Sequence, residues 1–219
     1  MTKTVTIFGG SGFIGNHIVR RLSKLGYRII LPTSNLTKTS KLKIYGHVGQ
    51  ILPIKVNFSK HTTFKEIISL SDCIINLKTI WVETKNITYK KQIYDLNKSI
   101  INYIKNFKEK KYIFFSGIGI ELNNKSKRTI AIANVEKFIQ ENLDNFSIVR
   151  PSIVIGNNDK FISRLLPIFK FSLFVPIFGN GEAKIQPTYV DDVAYAVERL
   201  VIKNRIDCNI YELGGNELF

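Results

Sequence analysis

The sequence predicts an α/β fold built on a doubly wound parallel sheet, followed by a small C-terminal lobe. Short apolar runs rich in β-branched residues alternate with stretches of helical periodicity, which is typical of successive strand–helix units in a parallel sheet. A glycine-rich loop stands between the first apolar run and the first amphipathic stretch. The 219 residues suit one domain with a small appendage.

The first half of the chain supplies strands and helices in alternation. Thr4–Phe8 is the first strand, and the apolar spacing from Ile14 to Leu25 predicts a helix that ends at Gly26. Further strands are predicted at residues 28–31, which Pro32 ends, at residues 51–56 and at residues 73–77, with a helix near residues 64–70. Each apolar run is short enough for a strand that is buried on both faces.

The second half continues the pattern. One long helix is predicted from the spacing of its apolar residues Ile93, Leu96, Ile100, Ile104 and Phe107. Strands at residues 112–115 and 146–149 flank a helix striped by Ile132, Val135, Ile139 and Leu143. Asp191 or Asp192 is predicted to cap a helix that precedes a last strand at residues 210–213. Residues 1–156 are therefore interpreted as the main α/β domain and residues 157–219 as a small, incomplete lobe that returns one strand to the sheet.

Composition excludes several classes of protein. An apolar content of 44% with only six prolines excludes a disordered chain, and Cys73 and Cys208 are too few for a disulfide scaffold, which indicates a reducing compartment such as the cytoplasm. No apolar run is long enough to cross a bilayer, and no signal or transit peptide is evident. The net charge of +15 comes from lysines scattered along the chain without interleaved aromatics, so nucleic-acid binding is not predicted.

The glycine loop is the most specific motif. The run Gly9, Gly10, Ser11, Gly12, Phe13, Ile14 and Gly15 satisfies G-x-G-x-x-G between a strand and a helix. Gly9 permits a tight turn, Gly12 lets backbone N–H groups approach a diphosphate, and Gly15 lets helix and strand pack closely. The helix N-terminus adds partial positive charge. The seven residues therefore predict a dinucleotide site, although a tight turn without a ligand would need the same glycines.

The end of the second strand indicates which dinucleotide is bound. A carboxylate there would hold the ribose 2′-hydroxyl of NAD(H), but residues 31–35 contain no acid, and Lys38, Lys41 and Lys43 follow. The missing carboxylate removes repulsion of a 2′-phosphate, which favours NADP(H) over NAD(H). The lysines are equally compatible with ordinary surface charges.

Several motifs together carry a family resemblance. They are the glycine loop, residues 74–77, the run Ser-Gly-Ile-Gly at 116–119, Arg-Pro-Ser-Ile-Val at 150–154, Gln-Pro-Thr-Tyr-Val at 186–190 and residues 211–215. On these residues the chain resembles the extended and atypical short-chain dehydrogenase/reductases. Among them it is most similar to the nucleotide-binding accessory subunit of respiratory complex I (NADH:ubiquinone oxidoreductase) and its bacterial relatives.

The resemblance implies a Rossmann-type, short-chain dehydrogenase-like fold with bound NADP(H), association with complex I subunits at a membrane, and no demonstrated turnover. It places Ser34 and Asn57 near the adenosine, Leu77, Lys78 and Ser116 along the path to the nicotinamide, and Pro151, Ser152 and Ile153 over the nicotinamide end. Many relatives have glycine or alanine where this chain has Lys78. That side chain either crowds the cofactor or adds a phosphate contact, and the sequence leaves both open.

Catalysis is not predicted. Active short-chain reductases resemble one another in a Tyr-x-x-x-Lys pair on the helix after the fifth strand, where the lysine lowers the pKa of the tyrosine. Here Arg128 and Ile132 take those positions, and Ser116 alone remains as a hydrogen-bonding group. Tyr94 and Lys98 have the same spacing but lie on the preceding helix. The three histidines show no metal-ligand spacing and are interpreted as surface or packing residues.

The apolar stretch at residues 161–178 has two interpretations: it packs inside the C-terminal lobe, or it docks peripherally on an anionic membrane. Docking would place the chain on the inner face of the inner membrane, on the matrix side in a eukaryote.

Family members continue well beyond the length of this chain, which is expected to be a fragment or a shortened gene product. The alternative functions are an NAD(P)-dependent sugar epimerase, dehydratase or reductase and an NADP(H)-sensing regulator.

Overall fold

The computed structural model describes residues 3–58, 62–171, 182, 184–203 and 208–219. The strands in these ranges are β1 (Thr4–Phe8), β2 (Arg28–Thr33), β3 (Ile51–Lys55), β4 (Cys73–Asn76), β5 (Lys111–Phe115), β6 (Phe146–Pro151), β7 (Val154–Ile155), β8 (Thr188–Tyr189) and β9 (Asn209–Leu213). Seven of them form one parallel sheet in the order β3-β2-β1-β4-β5-β6-β9, and β7 pairs with β8. The predicted doubly wound sheet is confirmed.

Helices cover both faces of the sheet. They are α1 (Phe13–Lys24), α2 (Leu36–Ser40), α3 (Thr62–Ser69), α4 (Leu96–Ile104), α5 (Lys127–Asn142), α6 (Ile162–Phe171) and α7 (Val190–Ile202). Successive strand residues face opposite layers: Ile7 is buried in the core under α1 and α7, whereas Phe8 is buried in the core under α3, α4 and α5. Because both faces are covered, the strands read as continuous apolar runs in the sequence.

The second strand continues through Pro32, contrary to the prediction that the proline ends it. The N–H of Arg28 donates to Lys3 beside β1, and that of Ile29 donates to Gln50 beside β3. Alternate residues therefore donate to alternate sides, and the nitrogen of Pro32 faces the β1 side. Pairing with β1 extends only to Ile30, so no ladder hydrogen bond is lost at the proline.

The predicted long helix is divided in two. A π-helical segment at Lys90–Asp95 leads directly into α4, which ends at Ile104. Phe107 keeps the apolar spacing but lies beyond the helix in a turn, where its carbonyl accepts the N–H of Lys110 and its side chain is 39% exposed. The chain leaves the helix there because it must reverse to enter β5.

In the C-terminal part, the observed cap of α7 differs from the predicted one, and only part of the apolar stretch is described. The helix begins at Val190 with Tyr189 as its N-cap, since β8 runs straight into it, so Asp191 and Asp192 lie in the first turn instead of capping it. Of the apolar stretch, α6 is described and carries an exposed Leu166, whereas residues 172–178 lie outside the described residues. Among the described helices, none combines the length and apolar character needed to cross a membrane.

Candidate functional site

The loops after β1 and β4 lead to helices on opposite faces of the sheet, and a crevice is expected between them at the carboxyl ends of the strands. From β1 the chain moves outward to β2 and β3, and it then returns to β4 on the other side of β1. Ligands of doubly wound folds bind at such a topological switch point, beyond the carboxyl ends of the strands. The two loops approach closely, because a Cβ atom added to Gly9 would lie 3.1 Å from the Leu77 carbonyl carbon and from the Lys78 nitrogen.

The glycine loop is a tight turn that only small residues can form. Gly9 has a φ of +81°, and the N–H of Gly12 donates to the Gly9 carbonyl at 2.9 Å. A Cβ atom on Gly15 would come within 2.5 Å of the Gly9 oxygen, and one on Gly10 within 2.6 Å of Leu31 Cδ2. The predicted turn at Gly9 and the close packing at Gly15 are therefore observed. A contact of any loop residue with a ligand stays a prediction.

The end of β2 presents hydroxyl groups and a lysine. Thr39 Oγ1 donates to Thr33 Oγ1 at 2.8 Å, and the N–H of Lys38 donates to Asn35 Oδ1 at 2.9 Å. These bonds fix the turn into α2 and leave Ser34 and the Lys38 side chain exposed. Residues 31–35, at this strand end, contain no acid.

A buried amide network holds the end of β4. Asn76 Oδ1 accepts the Lys78 N–H at 2.9 Å, while Asn76 Nδ2 donates to Asn97 Oδ1 at 2.7 Å. Tyr112 donates its hydroxyl to the same oxygen of Asn97 at 2.5 Å, and burial raises the pKa of that hydroxyl well above its usual range. The sequence analysis missed Asn97 and Tyr112. An amide within the otherwise apolar face of α4 was the available signal.

The side chain of Lys78 extends toward the end of β3. Its ammonium lies 4.1 Å from the centre of the Phe58 ring, and burial lowers its pKa. Asn57 is exposed beside that ring, after β3. The backbone of Lys78 thus lines the crevice, whereas its charge lies on the side of β1, β2 and β3. The sequence placed Lys78 on the path to the nicotinamide and did not distinguish its backbone from its charged side chain.

The ends of β5 and β6 bring together the remaining predicted residues. The N–H of Ser116 donates to the Val149 carbonyl at 2.8 Å, and that of Ser152 donates to the Leu213 carbonyl at 2.8 Å. Ile153 accepts the Thr188 N–H at 2.9 Å, next to Pro151 at the end of β6. The Ser116 hydroxyl is buried and has no hydrogen-bond partner among the described residues. An unpaired buried hydroxyl at this edge could accept or donate a hydrogen bond to a ligand.

The helix after β5 carries no proton-transfer pair. Ile132 is buried in the core, and the guanidinium of Arg128 lies 4.1 Å from the centre of the Trp81 ring. Arg128 also donates from Nε to the Ile80 carbonyl at 3.1 Å. Burial lowers the pKa of Arg128, yet a guanidinium stays charged in proteins and cannot exchange a proton as a phenol does. This position therefore holds a loop in place.

Other titratable groups serve packing. The Lys98 ammonium lies over the rings of Tyr94 and Phe138, at 5.9 Å and 5.7 Å from their centres, so this Tyr–Lys pair packs α4 against α5. Within the described ranges, no three His, Cys, Asp or Glu side chains are grouped so that they could hold a metal ion.

His17 has a partner that the sequence did not reveal. Its Nδ1 lies 2.8 Å from Asp191 Oδ1, which also accepts a hydrogen bond from Arg20 at 2.7 Å. The hydrogen bond with His17 and the one from Arg20 lower the pKa of Asp191. The contact joins α1, which begins at the glycine loop, to α7, and so it positions the loop's helix. His17 and Asp191 are far apart in the sequence, so only the fold brings them together.

Comparison with known proteins agrees with this architecture. The model of the NAD dependent epimerase/dehydratase family matches residues 5–120, more than half of the chain. Two relatives share the name "NADH dehydrogenase [ubiquinone] 1 alpha subcomplex subunit 9, mitochondrial". The one from Arabidopsis thaliana is 28% identical over 98% of this chain, and the one from Dictyostelium discoideum is 29% identical over 98%. The chain spans 54% and 60% of the length of these two relatives.

Solved structures show the same fold. MoeE5 in complex with UDP-glucuronic acid and NAD matches with a TM-score of 0.79 and 16% identity, over 99% of this chain and 78% of that one. The UDP-glucuronic acid 4-epimerase of Bacillus cereus, in complex with UDP-glucuronic acid and NAD, matches with a TM-score of 0.78 and 19% identity, over 99% and 79%.

Proposed function

Because the chain belongs to the NAD dependent epimerase/dehydratase family, we propose that it binds a nicotinamide adenine dinucleotide in the crevice between β1 and β4 without turning over a substrate. We propose further that it serves as an accessory or assembly subunit of an NADH:ubiquinone oxidoreductase. The observation that carries the proposal is the combination of an intact glycine turn with Arg128 and Ile132 in place of a proton-transfer pair. The names of the relatives from Arabidopsis and Dictyostelium support the assignment to complex I.

The residues at the crevice fit a dinucleotide. Gly9 and Gly15 permit the tight turn that a diphosphate would approach, since a Cβ atom on either would meet backbone atoms at 3.1 Å or 2.5 Å. The buried Ser116 hydroxyl has no partner among the described residues. The proposed binding residues are Gly9, Gly10, Ser11, Gly12, Phe13, Ile14 and Gly15 for the diphosphate, Ser34 and Asn57 for the adenosine, and Leu77, the backbone of Lys78, Ser116, Pro151, Ser152 and Ile153 toward the nicotinamide. When bound, the nicotinamide would supply hydride chemistry, but this chain offers no phenol–ammonium pair to move the accompanying proton.

The end of β2 supports NADP(H) as the form of the cofactor. The absence of an acid there, together with the exposed Lys38, favours NADP(H) over NAD(H).

Residues 1–156 would form the binding domain and residues 157–219 part of a smaller lobe. As a subunit of complex I, the chain would lie at the inner face of the inner membrane, on the matrix side in a mitochondrion. We propose in addition that α6 contacts anionic lipid.

Native mass spectrometry of the gently purified chain tests the binding proposal, with retained nucleotide identified after denaturation. We expect NADP(H) at one molecule per chain. A panel of nucleotide sugars and carbonyl compounds tests the absence of turnover, and oxidation of NADPH that is lost in Ser116→Ala would contradict it. Cross-linking in membranes of cells that express the chain, followed by identification of partners, tests assembly with complex I.

A sugar epimerase is the second candidate function. The unpaired Ser116 hydroxyl, at the end of a strand in a fold shared with epimerases, favours it. A regulator that senses NADP(H) is the third, and it would bind the nucleotide but not purify with complex I subunits. The turnover panel identifies an epimerase, and the cross-linking experiment separates the accessory subunit from the regulator.

A further inference from the structure

Taking the proposed function as given, we infer that the ammonium of Lys78 binds a phosphate group of the dinucleotide and thereby fixes the adenosine half of the cofactor. Of the two roles that the sequence left open for this side chain, a phosphate contact and an obstruction of the site, we assign it the first.

The backbone of Lys78 is fixed at the crevice. Its N–H donates to Asn76 Oδ1, and its nitrogen lies where a Cβ on Gly9 would approach to 3.1 Å. Leu77 and Lys78, the first two residues after β4, thus both lie directly against the turn of the glycine loop. A ligand held by that turn comes within reach of a lysine side chain starting from this point.

The side chain lies on the adenosine side of the crevice. Its ammonium lies over Phe58, and the Phe58 ring packs against Phe8 and Phe64 at 6.5 Å and 6.0 Å between ring centres. Phe58 follows β3, on the far side of β1 from β4. In a doubly wound fold, the strand ends from β1 to β3 hold the adenosine half of a dinucleotide. The aromatic contact therefore directs the charge to that half.

The ammonium of Lys78 has no counter-ion among the described residues. Among the described residues, no carboxylate lies within salt-bridge distance of the Lys78 ammonium and no hydrogen-bond acceptor is in contact with it. Burial lowers its pKa, with no acidic group opposing the shift. Lys98 makes a similar contact with aromatic rings, but it is exposed, so water solvates its charge. A half-buried ammonium without a counter-ion is costly unless an anion binds to it.

Two phosphate groups of the ligand have the required chemistry: the diphosphate, which NADH and NADPH share, and the ribose 2′-phosphate, which only NADPH carries. Binding of both nucleotides to the full chain, measured by isothermal titration calorimetry, distinguishes them. Lys78→Met keeps the apolar stem and removes the charge, Lys78→Arg keeps the charge over the ring, and Lys98→Met is the matched control.

We expect Lys78→Met to weaken binding about tenfold, as for loss of one hydrogen bond to a charged group. Weakening for both nucleotides identifies the diphosphate, and weakening for NADPH alone identifies the 2′-phosphate. Lys78→Arg and Lys98→Met should bind within about threefold of wild type. Unchanged or tighter binding of both nucleotides by Lys78→Met would overturn the inference and assign the side chain to obstruction.

Two further observations keep these results interpretable. Thermal unfolding without nucleotide should leave Lys78→Met at least as stable as wild type, because a buried cation has been removed, so weaker binding cannot be attributed to misfolding. If the wild-type chain itself binds neither nucleotide, the proposed function fails. If wild type binds and Lys78→Met binds equally well, only the role of Lys78 fails.

Discussion

The guanidinium of Arg128 stacks on the Trp81 ring, with 4.1 Å between the guanidinium carbon and the ring centre. Trp81 is 73% exposed and lies in the loop that follows β4, whereas Arg128 lies in the first turn of α5. At the helix position where the resemblance to short-chain reductases leads us to expect a proton carrier, this chain has a cation that holds a neighbouring loop in place. The same contact explains how an exposed tryptophan is held in one orientation.

Arg128→Ala should destabilise the fold by about 1–2 kcal/mol, because it removes a cation–π contact and the hydrogen bond to the Ile80 carbonyl. Denaturant unfolding measures the change, and Trp81 fluorescence, from the one tryptophan of the chain, should report a more mobile ring. Lys127→Ala, on the preceding exposed residue, is the matched control and should change stability by less than about 0.5 kcal/mol. Equal stability of the two variants would show that the stacking contributes nothing.

Gly15→Ala should abolish dinucleotide binding and cost about 1–3 kcal/mol of stability. Its Cβ would come within 2.5 Å of the Gly9 oxygen and 2.7 Å of the Gly10 Cα, so α1 must move away from the glycine turn. The change is measured by calorimetric titration with NADPH and by thermal unfolding. Gly117→Ala is the control for stability, since its Cβ would meet only Ile120 at 3.9 Å. Binding retained by Gly15→Ala would mean that the turn is not the ligand cradle.

Asn97→Leu should cost about 2–3 kcal/mol, since Asn76 and Tyr112 would lose their shared partner while remaining buried. The loop that carries Lys78 should also loosen, because Asn76 holds its backbone N–H. Hydrogen exchange at Lys78 and denaturant unfolding measure the two effects. Asn134→Leu removes one hydrogen bond within α5 and should cost less than about 1 kcal/mol. A similar cost for both variants would contradict a cooperative network.

Asp191→Asn should destabilise the contact between α1 and α7 by less than about 1 kcal/mol, because the pair with Arg20 is partly exposed. The folded-state pKa of Asp191 lies below its ordinary value of 3.8. The stabilisation is therefore complete above that value and is lost as the pH falls through the lower folded-state pKa.

Urea unfolding between about pH 2 and pH 7 measures this effect. Asp192→Asn, on the exposed neighbour in the same helical turn, is the control and should show no such pH dependence. A difference between wild type and Asp191→Asn that persists unchanged to the lowest pH would contradict the assignment to the carboxylate.

The sequence predicted the sheet because burial on both faces leaves a signal in its central strands. The strands β1, β4, β5 and β6 are buried over most of their length and are rich in apolar residues, and the glycines at 9, 12 and 15 mark the first turn. The sequence-based predictions were wrong where contacts with neighbouring elements decide where a strand or helix begins or ends. Pro32 stays within β2 because its nitrogen faces a side on which pairing has ended, and the cap of α7 is displaced because β8 runs directly into the helix.

By itself, the sequence determined the alternation of strands and helices that builds the sheet, the glycine turn, the lack of an acid in residues 31–35 and the lack of a Tyr-x-x-x-Lys pair on the helix after β5. Each is a local pattern or the identity of a single residue, which a linear chain displays directly. Only the tertiary structure decided that His17 meets Asp191, that Arg128 covers Trp81, and that the charge of Lys78 lies over Phe58. Those contacts join residues from different loops and layers, and packing of the sheet and its helices selects them.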